Sequence, residues 1–272
     1  MIPDRSMSDG PQRHGGSLPA GPTLPTRTAR TIAAFLLVLG LTACGMGANG
    51  GDGRVDQLPS TVPPGTDPAE GGTTCVISGQ TFDDDVTIPT GIHCVFNDVI
   101  IEGNLVLAPN TRVEQQGGRV DGNVLVYPNA EYVADLGAPV TIGGDVQAEE
   151  AASVLLGGAE LDGNLQTLRT EVVEASGGTI GGNVQNDRGG TVTITGVAVG
   201  GNIQPLQNSG HVTIEGNTVD GDVQPKENTG GVTITNNQIG GNLQCEGNAP
   251  PPTGGGNIVQ GDAEGQCAGL DT

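Results

Sequence analysis

Five cysteines, three histidines and 31 acidic residues against 10 basic ones are the groups in this 272-residue sequence that could do chemistry. Glycoside cleavage would need two convergent carboxylates, usually beside aromatic or basic groups that hold the sugar. The densest acidic cluster is Asp83, Asp84 and Asp85, in "FDDDV", and strand alternation would turn its members to opposite faces. Glu149 with Glu150 and Glu160 with Asp162 read as solvated strand or turn residues. His93 and His211 show no partner at ligand spacing, and Arg112, Arg119, Arg169, Arg188 and Lys226 are scattered. No catalytic residue, metal ligand or cofactor is expected. The recurring phrase "GGNVQ" invites a phosphate-loop reading, but no helix follows it and no lysine is placed to meet phosphate. A calcium-binding nonapeptide repeat has a different period. The phrase reads instead as a turn in which glycine supplies positive φ and Asn or Asp tolerates the left-handed region.

What positions these residues is a repeat. The glycine before Asn or Asp recurs at Gly103, Gly122, Gly144, Gly163, Gly182, Gly201, Gly221, Gly241 and Gly261, at intervals of 19 to 22 residues. The positions two before it (Ile101, Val120, Ile142 and onward) and two after it (Leu105, Val124, Val146 and onward) are never polar. A second pair of apolar columns precedes it, as in Val192 and Ile194 within "TVTIT". Period-two placement around a fixed glycine means short strands with one buried face, bent or closely packed at the glycine, and a unit this small buries that face only by stacking on its copies. The expected fold is all-β: a single-stranded parallel β-helix, or β-solenoid, with 19–22-residue coils over residues 75–267 and a tail at 268–272. Phe82, Asp84 and Val86 fit one further coil, so ten coils at the ~4.8 Å strand spacing would form a rod on the order of 45 Å long. Stacking would also align Asn104, Asn123, Asp145 and their successors as a hydrogen-bonded ladder.

The register places the cysteines. Cys75 and Cys94 are 19 residues apart in one column, and Cys245 and Cys267 are 22 apart, about one coil plus the insertion "NAPPPTGGG". Residues stacked ~4.8 Å apart suit a disulfide, so the pairs Cys75–Cys94 and Cys245–Cys267 are expected, one at each end, where a solenoid frays. Such pairs imply an oxidising compartment.

The fifth cysteine belongs to another segment. Arg27 and Arg30 precede "TIAAFLLVLGLTACG", an apolar run of signal-peptide length. Leu41, Thr42, Ala43 and Cys44 resemble the lipobox of bacterial lipoproteins. The resemblance implies that residues 1–43 are removed, that Cys44 is lipidated, and that acyl chains hold it on a membrane, the outer membrane being favoured by Gly45. Residues 44–74, rich in Gly, Pro and Asp, read as a disordered tether. Removal of the leader leaves six basic and 29 acidic residues, a net charge of −23. Nucleic acid is excluded as a partner, because phosphate binding needs clustered Lys and Arg.

The outward threonines Thr193, Thr195, Thr213, Thr233 and Thr235 resemble a fragment of an ice-binding solenoid, interrupted by Glu215. The "GGNVQ" and "GGNLQC" phrases and the ending "NLQCEGNAPPPTGGGNIVQGDAEGQC" are similar to a loosely defined group of uncharacterised secreted bacterial proteins. That likeness implies a β-helix and no known activity. The expected function is a lipid-anchored, monomeric cell-envelope solenoid acting as a structural, adhesive or interaction surface. Its partners would be the membrane through Cys44 and a cell-surface glycan or protein. The alternative is a carbohydrate-active lyase- or hydrolase-like β-helix enzyme.

Overall fold

The computed structural model describes residues 73–134 and 137–272. Cys44, the leader over 1–43 and almost all of the tether lie outside the described residues. The described chain contains no helix, and it winds as a parallel β-solenoid through about ten coils. Each coil contributes to three rows of strands. The first row runs from Thr73–Ser78 through Ser153–Gly157, Thr191–Thr195 and Val232–Thr235 to Thr253–Gly255. The second consists of two-residue strands such as Glu160–Leu161 and Thr179–Ile180, and it merges with the first within Ile92–Ile101 and Arg112–Val120. The third is a seven-stranded sheet from Val86–Ile88 to Ile203–Leu206, continued by Leu243–Cys245 on Ala263–Gly265. Pro205 and Pro225 supply no N–H to this row, and around Pro225 its ladder thins to isolated bridges.

The register follows the repeat. Val154, Val173, Val192, Val212 and Val232 stack on one another, each fully shielded, while Glu174, Thr193, Thr213 and Thr233 stack on the outside. The additional first coil is present, with Phe82 on Ile101 and Val86 on Leu105. The inward residues of the three rows form one mainly aliphatic core, with Phe82, Phe96 and Tyr132 near its N-terminal end and a few buried polar residues such as Thr167 and Asn186. Burial of each Val, Leu or Ile contributes about 1.5–3 kcal/mol.

At the corner the structure selects close packing over a left-handed turn. Neither Gly103, Gly122, Gly144 and Gly201 nor the Asn104, Asn123, Asp145 and Asn202 that follow them have positive φ; the first are glycines because the coils approach too closely for a side chain. A Cβ on Gly103 would lie 2.6 Å from the Asp85 amide nitrogen, and one on Gly201 would lie 2.6 Å from Asn183 Oδ1. The glycine backbones hydrogen-bond directly up the stack, as in Gly201 N to Gly182 O at 3.0 Å. Left-handed residues occupy the other two corners. One column includes Asp98 (φ 51), Gly177 and Asn236 (φ 57); the other includes Glu150, Arg169, Arg188 and Gln207 at φ 53 to 55.

At the 22-residue interval the chain takes a longer path between Ala134 and Thr141, returning Val140 to the core. At the C-terminal end the residues read as a tail turn back onto the last coil. Asp271 pairs with Asn257, and Leu270 packs against the core.

Candidate functional site

Both cysteine pairs close as disulfides. Cys75 and Cys94 are register partners with Cα atoms 4.5 Å apart, and Cys245 and Cys267 have Cα atoms 5.2 Å apart. The spacing of 22 in the second pair does not come from the "NAPPPTGGG" loop, because Cys245 stacks on Gly265 and Cys267 follows in the turn after it. Bonds of this kind persist in an oxidising environment and are rare in a reducing one.

The acidic cluster does not divide between two faces. Asp83, Asp84 and Asp85 are all exposed, and Asp85 Oδ1 accepts the Asn104 backbone N–H at 2.7 Å and its Nδ2 at 2.9 Å. Asp85 is thus the first rung of the corner ladder. From there each Oδ1 accepts the backbone N–H one coil on, through Asn123, Asp145, Asn164, Asn183, Asn202, Asp222, Asn242 and Asp262. A carboxylate serves as well as an amide here because the rung needs only an acceptor.

Stacking also brings His93 beside a carboxylate that linear spacing hid, without a hydrogen bond between them. Its Nε2 lies 3.3 Å from Glu114 Oε1, and Arg112 bridges Glu114 (2.8 Å) and Glu131 (2.6 Å) across the coils. Partial burial works against the Arg112 charge, but the hydrogen bonds and charges of Glu114 and Glu131 outweigh it and raise its pKa. His211 Nε2 meets Thr233 Oγ1 at 3.1 Å. Among the described residues every lysine and arginine is ion-paired: Arg119 with Asp121, Arg169 with Glu149 and Glu150, Arg188 with Asp187, and Lys226 with Glu246. Among the same residues no group of three or more His, Cys, Asp or Glu is arranged to hold a metal ion.

Three polar features were missed from sequence. Asn217, Asn237 and Asn257 form one fully buried ladder, and Asn208, Asn228 and Asn248 form another. Each was visible as an asparagine recurring every 20 residues in a column that is apolar, small or threonine in earlier coils. Tyr132 and Gln115, both fully buried, share a 2.9 Å hydrogen bond, and burial pushes the Tyr132 phenol well above its ordinary pKa. No motif announces that pair. The third is a row on the outer side of the third strand row, in which Gln166, Gln185, Gln204, Gln224 and Gln244 pass amide hydrogen bonds to Glu264.

No protein-family model, curated protein or solved structure matches the chain.

Proposed function

We propose that this chain is a lipoprotein of the cell envelope, held on a membrane by acyl chains on Cys44, whose solenoid serves as a structural, adhesive or interaction surface without catalysis of its own. The observation that carries this reading is the repetition of the outer faces. Threonine repeats along the first strand row and glutamine along the third at coil spacing, and a surface of one repeated side chain suits an extended partner. The disulfides at both ends accord with life outside the cytoplasm. The chain acts as a monomer, and its partner is a cell-surface glycan or protein.

Expression of the full chain with its own leader in a bacterium, followed by membrane fractionation, tests the anchor. Wild type should partition with membranes and Cys44→Ser should not; equal partitioning of the two refutes lipid anchoring. Incubation of the purified chain with envelope polysaccharides tests the remainder. Retention without new reducing ends is expected, and steady release of reducing ends would establish the enzymatic alternative.

A further inference from the structure

The outer side of the third strand row carries a groove of about 330 Å3 lined by Gln185, Asp187, Gln204, Leu206, Gln224 and Lys226. We propose that this groove binds an uncharged linear glycan lying along the solenoid axis. The proposal rests on the reading of the molecule as an interaction surface and names the partner's chemistry.

Two glutamines in the groove retain unspent hydrogen-bonding capacity. Gln185 accepts from Gln166 at 3.2 Å and donates to Gln204 at 3.0 Å, and Gln204 donates in turn to Gln224 at 2.8 Å. A carboxamide has two N–H groups and two oxygen lone pairs, so Gln185 and Gln204 each retain one donor and one acceptor. A sugar hydroxyl, itself one donor plus acceptor sites, is the complement of that pair. Beside them, Asp187 gives Oδ2 to Arg188 at 2.9 and 3.1 Å, while its Oδ1 is shielded from solvent and has no partner. A small rotation of the carboxylate would bring that oxygen out to a hydroxyl lying in the groove. Leu206 supplies an apolar spot for the C–H face of a pyranose.

Spacing and charge narrow the occupant. The glutamine amides repeat at the strand spacing of ~4.8 Å, out of step with an extended peptide at ~3.4 Å per residue, whereas one pyranose advances a linear glycan by nearly one coil. Residues 73–272 carry five Lys and Arg against 25 Asp and Glu, and all five cations are already ion-paired. An acidic polysaccharide would meet repulsion without compensation.

The test is calorimetric titration of the purified full chain with neutral hexasaccharides (β-1,4-glucan, β-1,4-mannan and β-1,4-linked N-acetylglucosamine), an oligogalacturonate, and a neutral extended peptide. At least one neutral hexasaccharide should bind, and the oligogalacturonate should not. Asp187→Ala and the double variant Gln185→Ala/Gln204→Ala should each weaken binding about tenfold or more, as loss of one or two hydrogen bonds predicts. Thr193→Ala, in the first strand row, should not. Side-chain amide NMR signals of Gln185 and Gln204 in the wild-type chain, shifting on titration, provide a readout independent of variant folding. Failure of every neutral hexasaccharide to bind, unmoved glutamine signals, or tighter binding of the peptide in the same groove overturns the proposal. Retention of the full chain on isolated cell envelopes separates the two levels. Retention unchanged in the groove variants sinks the groove alone, and no retention at all sinks the interaction-surface reading beneath it.

Discussion

Asparagine does two jobs in this molecule, and burial distinguishes them. Asn183 sits at a half-buried corner where water can replace a lost bond; Asn237 is fully buried and its Oδ1 accepts both the backbone N–H (2.9 Å) and Nδ2 (3.0 Å) of Asn217. Asn237→Val should therefore destabilise by roughly 2–4 kcal/mol, since two buried donors lose their acceptor, and Asn183→Ala by only about 1 kcal/mol. Denaturant unfolding of both variants checks the contrast. Tyr132 gives a pH signature. Its burial raises the phenol pKa, so the folded chain keeps a proton that the unfolded chain releases near pH ~10. The stability concerned is fully present below about pH 10 and declines as pH rises above it. Tyr132→Phe should cost about 1–2 kcal/mol at neutral pH by stranding Gln115 and should flatten the alkaline decline; parallel declines in wild type and variant would refute this assignment. The corner asparagines were legible in the sequence, because the GGN phrase marks them, whereas the buried columns recur only in the last three coils and have no motif to single them out. Tyr132 with Gln115 was not legible either, because a pair that occurs once carries no period.

The coil is legible wherever its positions obey one rule. Aliphatic columns and the GGN corner come from period and phase alone. The reason for glycine did not, because positive φ and close approach select the same residue: only the stacked backbones distinguish Gly201, which has no room for a Cβ, from Gly177, whose φ is +62. Gly201→Ala should destabilise by about 2–3 kcal/mol, as overpacking does. At the third corner the reverse substitution should help. Gln207 sits at φ 55 and its side chain makes one exposed hydrogen bond, to Glu227 at 2.6 Å. Gln207→Gly should raise stability by about 0.5–1 kcal/mol, the left-handed strain relieved exceeding the added chain entropy. Thermal melts of the pair read both signs together. Charged and amide side chains in that left-handed column were invisible beforehand, since Arg169 and Arg188 carry no signature of a turn.

At the scale of the molecule, the long repeat makes the ends the weak places, and a disulfide joins the last two coils at each. Replacing Cys75 and Cys94 by serine should speed hydrogen exchange in residues 73–101 far more than in the central coils, because a solenoid unzips from its ends. Uniform acceleration would mean that the bond stabilises the whole cooperative unit instead. The faces are where sequence reading ran out. The glutamine row was written in the repeat, but only stacking shows Asp187 with an unmet oxygen beside it. Intact-mass spectrometry of the full chain isolated from bacterial membranes tests most directly the proposal of an envelope lipoprotein whose solenoid is clipped by two disulfides. The predicted species begins at an acylated Cys44, lacks residues 1–43, and lacks the four thiol hydrogens of Cys75, Cys94, Cys245 and Cys267. A chain that retains its leader, starts at a residue without lipid, or carries four free thiols would contradict it.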